Sequence, residues 1–411
     1  MITRRHLLQS AGAGAAFAAT GLSFSEIAEA ASAAEQLTPG VPGGIASYVQ
    51  MGTLPGKKPL IQLADRPPNY EAPLEYLRTP ITPNDQFFVR YHLSDIPEVK
   101  AETYKIALGG DGANGTAELT LDDLKKMPAV EVVAVNQCSG NRRGLSKPHV
   151  AGVEWGYGAM GCARWKGARL KDVLEKIGLK KEAVEIFFAG ADGPAVDKTP
   201  DFVKSIPVWK AVDESTIVAY EMNGQPLQHF NGFPARVVVP DWTGTYWMKH
   251  VTSISATSKP FDNFWVKSAY RIPIGKFPLI DHFGSQLTDA NEPITEMVVN
   301  SLITNIEPGQ QVPVGRPFEV KGIAWDGGRG IAGVDVSADG GRSWRSATLG
   351  ADRGRFSFRS FSQSFTPTER GAMTVMARAT NRAGSTQTME LILNPAGYHH
   401  NVVQRIAVNA A

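Results

Sequence analysis

Val130-Glu131-Val132-Val133-Ala134-Val135 runs without interruption into Asn136-Gln137-Cys138-Ser139-Gly140-Asn141-Arg142-Arg143. The first six residues are mostly β-branched and read as a strand; the Gly/Asn turn that follows carries a cysteine, with two arginines four and five residues on. Outward from this point, β-type runs recur at Gln86–His92, Glu185–Phe188, Ala235–Val239 and Thr252–Ala256. Helical patterns fall between them, at Leu121–Lys126 and at Leu170–Ile177, the latter entered through Gly167-Ala168-Arg169. Strands and helices are mixed without a regular βαβ repeat, which predicts an α+β domain rather than a doubly wound sheet.

The texture changes towards the C-terminus. Phe318–Ala324, Val334–Ser337, Phe356–Phe361 and Met373–Thr380 are short β-type runs divided by turn residues, with Asp339-Gly340-Gly341 as a hairpin signal. This spacing predicts an immunoglobulin-like β-sandwich over 290–411. It holds no metal-ligand cluster, so a structural or dimerisation role is expected. Residues 31–80, rich in Pro, Gly and Ala, read as an extended arm with short ordered pieces, and 81–280 as the α+β domain.

The 411 residues are 43% hydrophobic and 20% charged, with a formal net charge of +2. That length predicts two or three cored domains, and the balance argues against disorder and against a nucleic-acid partner. Arg4-Arg5 precede a weakly apolar stretch, Ala11 to Phe24, and then Ala28-Glu29-Ala30. The stretch is too short to span a bilayer and reads as a cleavable signal over 1–30. The paired arginines resemble the twin-arginine class, which implies export to the periplasm in the folded state; an ordinary secretory signal is the alternative. No other stretch is long enough for a membrane span. The two cysteines, Cys138 and Cys162, could close one disulfide, and the absence of C-x-x-C-H excludes a covalently attached c-type haem.

Three clusters carry possible chemistry. Positive charge beside Cys138 favours its thiolate, the form that binds soft metals, although a structural thiol beside surface arginines fits the octapeptide equally well. Arg90 and His92, two apart on an expected strand, would share one face and make an anion pocket, or merely a solvated face. Arg236 and Lys249 flank the apolar strand of Asn231-Gly232-Phe233-Pro234-Ala235-Arg236-Val237 and the loop Gly244-Thr245-Tyr246-Trp247-Met248-Lys249. Both could grip a phosphate, or simply end a buried strand.

Taken in order, these clusters resemble the sulfite oxidase family. The segments that carry the resemblance are Phe87–His92, Cys138–Arg143, Trp155 to Gly167, Asn231–Lys249 and Trp265–Arg271. The C-terminal β-region is similar to the family's dimerisation domain, through Val334-Asp335-Val336-Ser337 and Asp339-Gly340-Gly341-Arg342-Ser343-Trp344. The resemblance implies a molybdenum atom held by a pterin dithiolene and by Cys138, with the pterin in its mononucleotide form, inside a molybdopterin-binding catalytic domain. It implies Arg90, Arg143 and Trp155 in the substrate pocket, Tyr270 as the active-site tyrosine and Arg236 on the cofactor phosphate. Ser205, His92, Asn231 and Lys249 follow as further cofactor contacts, and Cys162 as a buried thiol near the pterin.

The chain departs from the animal pattern in three places. Asn231 stands where a histidine precedes Gly-Phe-Pro, so that contact is weakened or rebuilt, with His229 as a candidate. A further pocket arginine is missing where the chain reads Asn394-Pro395-Ala396-Gly397, and there is no N-terminal cytochrome domain. The implied activity is oxidation of sulfite to sulfate with electrons passed to a cytochrome c-type acceptor, by a homodimer. The alternatives are a sulfane dehydrogenase subunit, a periplasmic sulfoxide reductase and, from another class, a disulfide-bonded β-sandwich binding protein.

Overall fold

The computed structural model describes residues 50–196, 198–275 and 290–411; the expected signal and the first part of the arm, 31–49, lie outside them. Three sheets build the first domain. The described part of the arm forms a four-stranded sheet of Met51–Gly52, Leu60–Ala64, Asn69–Glu71 and Val89–Arg90. A five-stranded sheet runs Val203–Pro207, Glu185–Gly190, Val251–Thr257, Lys105–Gly109, Ala117–Thr120, with one parallel pair between Val251–Thr257 and Lys105–Gly109. The third runs Gln225–Pro226, Ile217–Met222, Met160–Arg169, Ala129–Gln137, and Arg236–Val238 pairs with Ile217–Met222.

The helices are short. Leu121–Lys126 has the expected bounds because Thr120 and Asp123 form a reciprocal capping box. Leu170–Glu175 stops two residues before the predicted end, and Gly178 beyond it takes a positive φ of 60°. The domain is therefore mixed α+β, dominated by strands. The expected strand Gln86–His92 shrinks to Val89–Arg90: Asn84–Gln86 forms a 3₁₀ turn, and only Arg90 and Val89 find ladder partners, in Asn69 and Tyr70.

Two sheets form the C-terminal sandwich. One orders Asn300–Ile303, Phe318–Trp325, Arg359–Phe365, Thr348–Leu349; the other orders Gln311–Val312, Gln404–Ala410, Gly371–Asn381, Ile331–Ser337, Arg345–Ser346. Val320, Val334, Val336, Val375 and Ile406 fill the space between. Both Gly340 and Gly341 adopt positive φ, as the predicted turn requires.

The two domains share an apolar cluster in which Val135, Tyr157, Met160 and Cys162 pack with Leu302, Ile323, Trp325 and Phe358. Cys162, the buried thiol with no assigned role, is therefore part of the interdomain core. Both thiols are free, and burial pushes that of Cys162 up to about 12. The contact also fixes the strand that ends at Cys138. Val135 N donates to Phe356 O at 2.9 Å, and Trp325 Nε1 donates to Gln137 Oε1 at 2.6 Å. Arg142, 1% exposed and at φ 70°, donates to Asn300 Oδ1 and to Val402 O, both at 2.6 Å. From the other side, Glu71 of the arm accepts from Gly156 N at 2.6 Å and Gly158 N at 2.7 Å. These bonds hold the loop whose Ala159 O accepts from Cys138 N at 2.9 Å.

Glu71 is fully buried, and a glutamine there must turn its NH₂ towards one of two N–H donors. Glu71→Gln is expected to lower the unfolding midpoint by the equivalent of about 1–3 kcal/mol. An unchanged thermal or denaturant midpoint would show that this carboxylate does not anchor the loop.

Candidate active site

Cys138 opens, one residue past its strand, onto a cavity lined by polar, cationic and aromatic side chains. Of the residues singled out in the sequence, Arg90, His92, Cys138, Asn231, Arg236, Lys249 and Tyr270 line it together. They come from five separate stretches of chain, Lys249 standing just before the strand Val251–Thr257. The strand pairing of Val89–Arg90, the turn after Gln137, the loop and strand from Asn231 to Arg236, and the turn after Lys267 meet here.

Tyr270 sits at φ 59°, a conformation that bulky residues avoid and that recurs at functional sites. Its hydroxyl accepts from Arg90 Nη2 at 3.5 Å and makes a short bond to His92 Nε2. The phenol oxygen can accept from Arg90 and still offer its proton to the Nε2 of a neutral His92 imidazole. Burial, together with Arg90, Lys249 and Lys204, holds the His92 pKa well below its ordinary value and keeps the ring neutral. The ring lies flat on Phe202, centroids 3.6 Å apart.

Arg236 is 4% exposed and donates only to backbone, Nη1 to Asn231 O at 3.0 Å and Nη2 to Trp247 O at 2.9 Å, between the rings of Trp165 and Trp247. Burial pulls its pKa down to about 9. Lys249 Nζ donates to Arg90 O at 2.8 Å and lies over the Tyr91 ring; burial and Arg236 lower it well below the usual lysine range. Among the described residues lining the cavity, Asp192 is the only carboxylate, and burial raises its pKa.

Three expected residues stand elsewhere. Neither Ser205 nor its neighbour Lys204 lines the cavity. Adjacent strand residues face opposite ways, and Lys204 is the one whose Nζ lies over Tyr270, 5.2 Å from the centroid, and over Tyr246, at 4.7 Å. Lys204 is buried, its pKa is brought down to about 7, and it donates to Trp265 O at 2.6 Å. Arg143 does not line the cavity: Nε donates to Ala396 O at 2.7 Å and Nη1 to Val153 O at 3.3 Å, with the guanidinium over Tyr398. It fits because Gly140 and Gly152 lack a Cβ, which would come within 2.7 and 2.6 Å of it. Trp155 is wholly buried in the apolar cluster that also contains Cys138, its Nε1 unpartnered. His229 is half-buried and outside the lining, so it does not rebuild the missing histidine contact there.

Sequence reasoning missed Lys57, Asp192, Lys204 and Tyr398. Tyr398, from the second domain, stacks on Tyr270 with centroids 5.8 Å apart and planes at 7°. Nothing in its local sequence signals this role, whereas Lys204 was one residue from the position chosen.

The cavity suits a large anionic heterocycle. Lys57, Lys204 and Arg236 are buried without a carboxylate ion-pair partner among the described residues. Asn136 Oδ1, Thr245 Oγ1 and Arg236 Nε, on its wall, are buried polar atoms without a hydrogen-bond partner. Acceptors and donors left open beside a soft thiol ligand match a pterin with its phosphate and metal.

Comparison with known proteins agrees with this donor set. The profile of the oxidoreductase molybdopterin binding domain matches residues 92–265, and that of the Mo-co oxidoreductase dimerisation domain matches 291–411. Sulfite oxidase of Arabidopsis thaliana is 33% identical over 309 residues, covering 72% of this chain and 77% of the plant protein. The chain belongs to the sulfite oxidase family. Mitochondrial sulfite oxidase of Rattus norvegicus is 38% identical over 292 residues, covering 69% of this chain and 52% of the rat protein. The chain thus spans about half the length of the animal relatives it matches. The sulfane dehydrogenase SoxCD of Paracoccus pantotrophus has the same fold, with a TM-score of 0.71 at 23% identity over 90% of this chain and 93% of that one. As a family member the chain has a molybdenum–pterin site, and the cavity's donors fit it.

The buried lysines give the site a proton signature. Lys57 and Lys204, both brought down to about 7 by burial, are largely deprotonated at pH 8 in anion-free protein. An anion bound in the cavity raises the values of the lysines around it, so anion binding at pH 8 takes up protons, and the uptake shrinks as the pH is lowered and Lys57 and Lys204 become charged beforehand. Calorimetry in two buffers of different protonation enthalpy reads this. Proton release at pH 8, or no exchange, would contradict the reading.

Proposed function

We propose that the protein oxidises sulfite to sulfate at a molybdenum–pterin centre held by Cys138, and passes the electrons to an external c-type cytochrome. The reaction consumes sulfite and water and yields sulfate, two protons and two electrons. When bound, the molybdenum centre supplies the oxygen-atom transfer and accepts the electron pair. The observation that carries this reading is the grouping of Cys138 with Arg90, His92 and Tyr270 in one cation-rich cavity.

The side chains have distinct parts in this reading. Arg90 draws the sulfite dianion and orients it through charge-assisted bonds. Tyr270, donating to neutral His92, relays a proton at its hydroxyl, and the phenol stays protonated because burial raises its pKa. Arg143, already committed to Ala396 O and Val153 O, stiffens the Tyr398 wall and adds field rather than a direct grip. Arg236, Lys249 and Asn231 hold the cofactor. The reading also includes a homodimer formed through 291–411 and periplasmic export by the twin-arginine route, supported by Arg4-Arg5.

One observation favours a second substrate. Ala396 O and the Tyr398 ring occupy the place where animal relatives are expected to carry another arginine, which lowers the positive charge near Cys138. A less charged sulfur substrate, such as protein-bound sulfane sulfur, suits that wall.

Cys138→Ser is expected to lose molybdenum and sulfite-dependent ferricyanide reduction together, against about one molybdenum per wild-type chain, by elemental analysis. Wild-type molybdenum without sulfite activity would favour the second substrate, and no molybdenum would end the proposal. Arg90→Gln is expected to lower kcat/KM for sulfite roughly 10- to 150-fold, the equivalent of about 1.5–3 kcal/mol. An unaltered kcat/KM would remove Arg90 from the substrate contact.

A further inference from the structure

Lys57 belongs to the arm, far in sequence from every other residue of the site. It is 7% exposed, and its Nζ donates to Asn231 Oδ1 at 2.5 Å and to Asn84 O at 2.6 Å. The turn that carries it is pinned to the same loop a second time, by Gln228 Nε2 donating to Gly56 O at 2.9 Å. Asp85, the nearby carboxylate, pairs instead with Lys58 at the surface, at 3.6 Å. Arg236 donates to the backbone oxygen of Asn231, and Lys249 Nζ reaches Phe230 O at 3.5 Å. Three cations therefore converge on the turn His229–Asn231, and none has a carboxylate ion-pair partner among the described residues.

The chemistry of the ammonium group decides which way the asparagine faces. An ammonium only donates, so it can meet the carbonyl oxygen of a carboxamide but not its NH₂. With Oδ1 held by Lys57, outside the cavity lining, the NH₂ end of Asn231 is the end left for the cavity that this residue lines. The amide nitrogen takes no hydrogen bond among the described residues. Asn231 is 2% exposed and lines the cavity, where its amide nitrogen is open to a bound partner.

We infer that Lys57 is a positioning residue that locks the Asn231 carboxamide with its N–H donors towards the cavity, making it a phosphate-type anion contact beside Arg236. This rests on the reading of the cavity as the site of a phosphate-bearing cofactor, and it gives the arm a part in that site. It also accounts for asparagine at this position, because a fixed amide NH₂ supplies a donor in place of an imidazole. The burial of Lys57, which pulls its pKa down to about 7, has a purpose if an anion is held nearby.

The test compares wild type, Lys57→Met, Lys57→Arg, Asn231→Ala, the Lys57→Met/Asn231→Ala double variant and Asn231→Asp. Two quantities are read: molybdenum retained per chain after gel filtration of the full-length holoenzyme, and inorganic pyrophosphate binding to the cofactor-free chain by calorimetry. Lys57→Met and Asn231→Ala are each expected to lower both several-fold, with the double variant no worse than either alone. Lys57→Arg, still purely a donor, restores binding. Asn231→Asp, whose second oxygen would face the anion, loses it.

A Lys57→Met protein that binds like wild type overturns the inference. So does a double variant whose loss is the product of the single losses, since Lys57 would then act without the carboxamide. Should Lys57→Met fail to fold, Asn231→Asp binding as tightly as wild type would still refute it. Wild type without molybdenum whose pyrophosphate binding depends on Lys57 would refute the cofactor reading and keep this one. Wild type that neither retains molybdenum nor binds pyrophosphate refutes both.

Discussion

Burying positive charge without a counter-charge is the constraint around which this molecule is organised. Lys57, Lys204 and Arg236 are each less than 8% exposed, and Arg90, Lys249 and neutral His92 stand beside them. Each unpaired buried ion costs several kcal/mol of hydration, which backbone carbonyls return only in part. The carbonyls of Asn231, Trp247, Asn84, Trp265 and Arg90 are the acceptors recruited here. They neutralise no charge. Burial answers that cost by lowering the pKa of Lys57, Lys204, Arg236 and Lys249, and an anion bound beside them would restore their charge.

Holding like charges together requires a rigid frame, and the frame is built from both domains. The strand Ala129–Gln137 is paired over its full length with Met160–Arg169 on one side. Its end is gripped by Phe356 O and Trp325 Nε1 from the sandwich. Arg142 crosses to Asn300 and Val402, while Arg143 next to it reaches Ala396. Two adjacent arginines thus tie the Cys138 turn to the second domain, one through the interdomain contact and the other at the edge of the site. The sandwich is a wall of the active-site region as well as a dimerisation domain, and Tyr398 stacked on Tyr270 is its visible contribution.

What could be read from the residues followed the reach of each signal. Periodicity located most strands to within a few residues, because β-branched runs such as Val130–Val135 have few alternatives. It overran at Gln86–His92, where pairing depends on a partner strand in the arm that has no pattern of its own. The resemblance drew Arg90, His92, Cys138, Asn231, Arg236, Lys249 and Tyr270 to one place, since each sits inside a motif. Ser205 failed by a single step of the pleat, and Arg143 failed because its destination is set by glycines 140 and 152 and by a carbonyl 253 residues away. Lys57 and Tyr398 were illegible: their roles arise from contacts between distant segments, and a lysine in a Pro/Gly-rich arm resembles any exposed lysine.

The distribution of charge bears on what the pocket selects. Near Tyr270 both guanidinium groups are engaged: Arg90 donates to Asn69 Oδ1 at 3.1 Å, to Tyr91 O and to the Tyr270 hydroxyl, and Arg143 donates to Ala396 O and Val153 O with its plane over Tyr398. Around Asn231 there are Lys57, Arg236 and Lys249. Side chains able to carry positive charge thus stand at both ends of the site, with Lys204 over the Tyr270 ring. A wall with more cations beside Tyr270 would bind sulfate more firmly along with sulfite, raising affinity without gain in turnover, because uniform binding does not lower the barrier from the bound state. An aromatic stack in place of a further arginine weakens ground-state and product binding alike. On the proposed sulfur-anion substrate, Arg90, which donates to the Tyr270 hydroxyl, is the contact expected to discriminate.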